Sequence, residues 1–189
     1  MHFREHSNLA GAHAFLSPSS YHWINYTSDK LSHRWHTSQA AILGVEQHRY
    51  AAEAIERGQF QEDDTTTLGK YINDSIRFRM VPEVVLYYSD NCFGTADAIA
   101  FRYNKLRISD YKSGVTKASV HQLEVYAAIF CLEYEIHPRD IKIQLRIYQF
   151  GDCHIFDGDP EFILQIMEKI ISFDEQLNTL RMEESLAHQ

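Results

Sequence analysis

Three residues in the middle of the chain have the types and spacing of a hydrolytic metal centre. Asp97 ends the run Gly94-Thr95-Ala96-Asp97, and Asp110 and Lys112 lie two residues apart in a later apolar segment. Side chains alternate along a strand, so Asp110 and Lys112 face the same side. Two carboxylates held together repel unless a cation lies between them, and hard oxygen ligands select Mg²⁺ or Mn²⁺. Lys112 would then offset negative charge on a phosphate.

Hydrophobic periodicity predicts the elements that bring these residues together. Alternating residues predict strands over about 83–88, 94–103 and 106–112, with Asn104-Lys105 as a turn, so Asp97 and Asp110 come close to being cross-strand neighbours. Ser17-Pro18 is typical of a helix start. Other helices and strands are predicted over about 38–57, 64–78, 119–134, 141–150, 153–156 and 160–180. The order indicates an α/β or α+β fold, with an antiparallel meander in a mixed central sheet flanked by helices.

An Asp-x-Lys pair alone is more often an exposed ion pair than a catalytic site. Here it belongs to Asp110-Tyr111-Lys112-Ser113-Gly114, and other short motifs accompany it in a fixed order. These motifs are Leu16-Ser17-Pro18-Ser19-Ser20, Gly44-Val45-Glu46-Gln47-His48, Gly94-Thr95-Ala96-Asp97 and Gln122-Leu123-Glu124-Val125-Tyr126-Ala127. Together they resemble the RecB-like branch of the PD-(D/E)xK nucleases, and most closely its small phage-encoded exonucleases and CRISPR adaptation nucleases.

The resemblance implies a restriction-endonuclease-like core with one metal site. His48, Asp97 and Asp110 would bind the metal, together with the main-chain carbonyl of Tyr111. A lone histidine on a helix is more often a surface or core residue than a ligand. Gly44, one turn earlier, favours the ligand role, because a helix without a side chain there can approach the sheet closely.

The resemblance also implies roles around the metal. Lys112 would serve the nucleophilic water, and Gln122 and Tyr126 would orient the lysine or contact the DNA backbone. Tyr126 could equally belong to the core. Glu53 is one residue further from His48 than the family pattern has it, so no role is assigned to it.

The cysteines argue against an iron–sulfur cluster. Members of the branch that hold a cluster carry four cysteines, whereas this chain has three, Cys92, Cys131 and Cys153, and none lies in the family positions. Their odd number and wide spacing fit neither a disulfide framework nor a CxxC site. We therefore expect free thiols and no cluster.

Composition predicts a single domain over 1–189, with a helical part over about 16–80, a catalytic core over about 81–157 and a C-terminal helix over about 160–182. The start of the chain, Met1 to His6, lacks the apolar core of a signal peptide, and no apolar run suits a membrane, which favours a cytoplasmic protein. A formal net charge of −8 argues against a protein that coats nucleic acid. A local group of cations could still contact the DNA backbone: Arg102, Lys105, Arg107, Lys112 and Lys117. For each of these except Lys112, a solvated strand face is at least as good an explanation.

These observations favour a Mg²⁺- or Mn²⁺-dependent DNA exonuclease, because a compact domain has little with which to recognise a sequence. The resemblance implies recombination, repair or genome processing in a phage or mobile element, beside a strand-annealing protein. The alternatives are an endonuclease with the same centre, a hydrolase of another phosphoester and a non-catalytic DNA-binding module. A homo-oligomer that encloses DNA is also open.

Overall fold

A computed structural model describes residues 14–187 of the chain. The expectation for the segment Met1 to His6 lies outside the described residues. Internal contacts divide the chain into two compact units, residues 1–42 and 43–189, and every residue expected at the metal site belongs to the second. The single nuclease domain over 1–189 stays a prediction. None of the helices described is both long enough and apolar enough to cross a bilayer.

The first unit differs from the sequence prediction at two helix starts. Pro18–Asn25 forms a 3-10 helix with a non-helical kink at Ser20, and the side chain of Ser17 makes no capping hydrogen bond. The following α-helix begins at Ser28 and not near Ser38. Thr27 is the signal that marks its start, since the Thr27 hydroxyl accepts a hydrogen bond from the backbone N–H of Lys30 at 3.3 Å.

The helices and strands follow the predicted order. Their bounds are α1 Ser28–Glu56, α2 Thr67–Arg77, β1 Val81–Ser89, β2 Cys92–Arg102, β3 Lys105–Tyr111, α3 His121–Glu133, β4 Lys142–Gln149, β5 Asp152–Asp157 and α4 Pro160–Ala187. The strands form one sheet in the order β1-β2-β3-β4-β5. The meander β1-β2-β3 is antiparallel, β3 and β4 are parallel, and β5 returns antiparallel to β4. The fold is therefore α+β with a mixed five-stranded sheet and flanking helices, as predicted.

The β2–β3 turn lies one residue earlier than predicted. Arg102 pairs with Lys105, which leaves Tyr103 and Asn104 as the loop, with φ values of 50° and 55°. Two-residue hairpin loops favour positive φ at both central residues because that twist matches the strands. Lys105 therefore belongs to β3 and not to the turn.

Two apolar clusters hold helices against the sheet. One contains Leu106, Ile108 and Leu145 together with Leu123 of α3. The other contains Ala98, Tyr111 and Tyr148 together with residues of α1 and α2. Tyr71 and Ile72 of α2 are buried in this second cluster. Helices α1 and α3 are thereby fixed beside the strand ends that carry the candidate site.

Candidate metal centre

The sheet divides at the positions of the two aspartates. The β2–β3 ladder ends at the pair Ala98 and Ser109, whereas β2 stays paired with β1 and β3 stays paired with β4. Asp97 and Asp110 lie at facing positions immediately beyond this last pair. One Asp97 oxygen, Oδ2, accepts a hydrogen bond from the backbone N–H of Tyr111 at 2.9 Å. We call the place where β2 and β3 separate the fork. It holds the carboxylates of Asp97 and Asp110 at positions where these two strands are no longer paired.

Asp110 is the more buried of the two carboxylates. The residue is 3% exposed, and its Oδ1 accepts a hydrogen bond from Lys112 Nζ at 2.9 Å. Its other oxygen, Oδ2, is buried and has no hydrogen-bond partner among residues 14–187. A buried carboxylate oxygen without a partner is costly, and it marks a place where another ligand or a cation could bind.

Burial raises the pKa of both aspartates. The pKa of Asp97 is raised to about 6, mainly by burial and to a smaller extent by the nearby charge of Asp110. Burial also raises the pKa of Asp110, although Lys112 acts in the opposite direction. A divalent cation between the two carboxylates would reverse this balance and favour their ionised forms.

His48 reaches the fork from α1. Its Nδ1 lies 3.4 Å from Asp97 Oδ2, and its ring packs edge-on against Tyr111 with the centroids 5.4 Å apart. A Cβ at Gly44 would lie 3.1 Å from Ser113 Oγ. The glycine therefore allows the close approach of α1 to the strand end that the sequence predicted. The hydroxyl of Tyr111 adds a second tie, donating to Gln47 Oε1 at 3.1 Å.

Sequence reasoning missed Glu83, the third member of the group around His48. Ligand atoms of His48, Glu83 and Asp97 all lie within 4.8 Å of one another. Glu83 lies in β1 opposite Asp97, between the pairs that Pro82 and Val84 make with β2. Its φ is 51°, a left-handed conformation that costs on the order of 1–3 kcal/mol in a residue other than glycine and concentrates at functional sites. A carboxylate inside an apolar strand next to a proline was the available signal.

Lys112, the candidate catalytic lysine, is held at the rim of the fork. Lys112 Nζ lies 3.4 Å from Gln122 Oε1, in addition to its contact with Asp110, and the lysine side chain is 34% exposed. Gln122 is therefore within reach of the lysine, and its role in orienting that lysine stays a prediction. The ammonium group is accessible to an incoming phosphate.

Tyr126 is placed elsewhere. Its hydroxyl donates to the main-chain carbonyl of Thr95 at 2.6 Å, and its ring lies 3.0 Å from where a Cβ at Gly94 would be. The tyrosine therefore packs against the β2 segment that leads to Asp97, and none of its hydrogen bonds reaches Lys112. This contact explains why the motif needs a glycine at position 94.

Gln149 is a second residue that sequence reasoning missed. It ends β4 and is 2% exposed. Its side-chain amide donates to the carbonyls of Gly114 and Thr116, and its Oε1 accepts from the N–H of Ala118 at 3.0 Å. One buried side chain thus holds the loop that joins Lys112 to α3.

A cavity of about 460 Å³ opens beside the fork, between α1 and β1, and is lined by His48, Glu83 and Asp97 among others. Glu53 also lines it, and bridges Arg49 and Arg57 at 3.7 and 3.8 Å. Glu53 is therefore part of an ion-pair network on α1, outside the group of His48, Glu83 and Asp97.

The donor set fits a hard divalent cation. The group of His48, Glu83 and Asp97 offers two carboxylates and one imidazole, which suit Mg²⁺ or Mn²⁺. Asp110, which the sequence predicted as a ligand, lies outside this group of mutually close ligand atoms, although its Oδ2 is buried and unpartnered among the described residues. Tyr111, whose carbonyl the resemblance makes a ligand, directly follows Asp110. The three cysteines of the chain are free thiols.

Comparison with protein-family models, with curated proteins and with solved structures gave no match. The residues and their geometry are therefore the basis for a functional assignment.

Proposed function

We propose that this chain is a Mg²⁺- or Mn²⁺-dependent deoxyribonuclease of the RecB-like branch, with a restriction-endonuclease-like core. One observation carries the proposal: the Asp110 carboxylate is buried, has one oxygen without a partner, and contacts Lys112 through the other. A structural ion pair has no need for the unpartnered oxygen. A centre that uses a cation and a phosphate explains both the burial and the adjacent ammonium group.

His48, Glu83, Asp97 and Asp110 would hold the cation, with the Tyr111 carbonyl as a further ligand. When bound, a divalent cation polarises a phosphoryl oxygen and increases the acidity of an attacking water. Lys112, held by Asp110 and Gln122, can donate a hydrogen bond to that water or to a nonbridging phosphate oxygen. Negative charge on the phosphoryl oxygens in the transition state would thus be met by a fixed donor.

The proposal includes an exonucleolytic mode and a role in recombination, repair or genome processing in the cytoplasm of a phage host, beside a strand-annealing protein. Base-specific recognition needs elements that enter a groove and read base edges. In the described part of the second unit, the helices and strands are those of the sheet and its flanking layers. That organisation supports action at DNA ends and not at a base sequence.

The experiment incubates purified protein with end-labelled linear DNA and with closed circular DNA, in Mn²⁺, in Mg²⁺ or in chelator. Asp110→Ala and Lys112→Ala are compared with Asp64→Ala and Lys169→Ala, which remove the same charges from exposed sites. We expect metal-dependent shortening of linear DNA that only the first pair of variants loses.

Other outcomes separate the alternatives. Cleavage of closed circles would replace the exonuclease by an endonuclease with the same centre. DNA binding without cleavage under any metal would refute the catalytic assignment and leave a binding module. Hydrolysis of a different phosphoester, with DNA intact, would refute the substrate.

A further inference from the structure

The hairpin end of the sheet, at the opposite end of β2 and β3 from the fork, carries a row of cations. Arg102 pairs with Lys105 across β2 and β3, and Lys105 pairs with Lys142 across β3 and β4. Directly paired residues on neighbouring strands face the same side, and like charges placed so are destabilising. The fold therefore holds three positive charges side by side at a cost to its own stability.

These three cations form no ion pair with a carboxylate of the described residues, although the chain has more acidic than basic residues. The chain has 26 acidic and 18 basic residues. Among residues 14–187, no carboxylate forms an ion pair with Arg102, Lys105 or Lys142. Burial and the charges of Arg107 and Lys142 lower the pKa of Lys105, whereas the charge of Asp157 raises it. Asp157 therefore offsets only part of the positive potential at this end of the sheet.

The row lines a groove of about 520 Å³. Arg107 and Arg139 also line it; Arg139 is engaged by Glu161 through two contacts of 2.6 and 2.7 Å, whereas Arg107 bonds the neutral Gln144. Asp140 is the only carboxylate among the described lining residues. A concave surface with this surplus of donors fits an anion with several charges, such as a run of phosphates.

An aromatic ring stands at the edge of the groove. Tyr103 is 99% exposed, with a φ of 50° that places it in the left-handed region. A fully exposed tyrosine contributes nothing to a core. Beside a cationic groove, an exposed ring offers a face on which an unpaired base can stack.

We propose that this cationic groove, formed by Arg102, Lys105, Arg107 and Lys142 with Tyr103 at its edge, binds a single-stranded segment of DNA away from the cleavage site. The proposal rests on the deoxyribonuclease function in naming DNA as the polyanion. Five residues of strand separate Asp97 from Arg102, and Asp110 from Lys105, which at about 3.3 Å per residue is roughly 17 Å. The groove is thus a second contact for the substrate, distinct from the metal centre.

Binding is measured by fluorescence anisotropy of a labelled single-stranded oligonucleotide, with the full chain in chelator so that no cleavage occurs. The test variant is the double substitution Arg102→Glu and Lys142→Glu. The matched control is Lys169→Glu and Arg181→Glu, which changes the net charge equally at exposed sites on α4. We expect the groove variant to bind at least about tenfold more weakly, and the slope of log affinity against log salt to shrink by about 1. The control keeps wild-type binding.

Two further variants test the aromatic contact. Tyr103→Ala should weaken binding about tenfold, whereas Tyr103→Phe, which keeps the ring, should bind as the wild type does. Circular dichroism of each variant verifies that the fold is retained, and all four variants alter exposed side chains.

Several results would overturn the groove. One is an equal loss of affinity in the groove variant and in the control variant, and another is a wild type that does not bind single strands. A third is an affinity that Tyr103→Ala leaves unchanged, which would indicate a general surface for polyanions. Failure of the deoxyribonuclease function is a separate result: a wild type that binds single strands through the groove but cleaves no DNA with metal keeps the groove and refutes the activity.

Discussion

Strands β2 and β3 carry opposite charges at their two ends, and the two ends treat those charges differently. At the fork the strands separate, and Asp97 and Asp110 lie within the protein with raised pKa values. At the hairpin the strands join, and the cations lie at the surface around Arg102 and Lys105. The fork buries two negative charges, whereas the hairpin end exposes positive charges to solvent.

The contrast favours a different kind of ligand at each end. Buried carboxylates with an unpartnered oxygen suit a compact cation. A row of cations in which Arg102 and Lys142 are exposed and Lys105 is half-buried suits a long anion that binds reversibly. The fork is thereby suited to chemistry, and the hairpin is suited to reversible contact.

The largest expected effect is at the fork. Asp110→Asn should reduce metal-dependent cleavage on the order of 10³-fold, because the several kcal/mol of transition-state stabilisation that a cation supplies are lost. In chelator the same variant should be at least as stable as the wild type, by up to about 1 kcal/mol, since burial disfavours the charged carboxylate and an asparagine oxygen can still accept from Lys112 Nζ.

Cleavage rates and thermal unfolding, each with and without Mn²⁺, test this pair of effects. Mn²⁺ should raise the unfolding temperature of the wild type and leave that of the variant unchanged. A variant that unfolds far more easily in chelator would mean that Asp110 is a structural residue.

Glu83→Gln should follow, with a fall in cleavage of about 10²-fold and weaker Mn²⁺ binding, because it removes one of three close ligand groups. Glu53→Gln is the matched control, since Glu53 bridges two arginines on α1. Titration of Mn²⁺ by calorimetry compares the two. Equal effects of both substitutions would place Glu83 outside the metal site.

Gln149→Leu should destabilise the protein by about 2 kcal/mol and lower kcat about tenfold with little change in KM, because the loop after Lys112 loses three hydrogen bonds. Gln144→Leu, on the same strand near the hairpin, removes a single bond to Arg107 and should leave kcat unchanged. Hydrogen exchange over 113–118 and steady-state kinetics separate the two variants. An unchanged kcat in Gln149→Leu would limit that residue to a structural role.

The smallest expected effect is the coupling between the two ends. Asp110→Asn and Arg102→Glu should change the free energy of unfolding additively, within about 0.5 kcal/mol, because they are farther apart than residues that share contacts. Urea unfolding of both single variants and the double variant in chelator measures the coupling. A coupling well above 1 kcal/mol would show that the two ends do not act independently.

Local patterns were sufficient for most of the fold. Alternation along 83–112 predicted the meander, and the spacing of Asp110 and Lys112 predicted that their side chains share a side, as they do although Lys112 directly follows β3. Such patterns work because side-chain direction in a strand depends only on the neighbouring residues. The predicted start of α1 was wrong because residues 28–37 are exposed. A helix segment without a buried face has no apolar periodicity from which to predict it.

Residues that depend on distant pairing were beyond the reach of the sequence. Glu83 meets His48 only through the β1–β2 register and the approach of α1, and Gln149 reaches the loop only because β4 returns parallel to β3. The same crossover brings Lys142 beside Lys105. The sequence alone determined which chemical groups are present and which strand faces they share. The tertiary structure decided which groups from separate segments meet, because register and crossover are set by packing of the whole sheet and not by any local pattern.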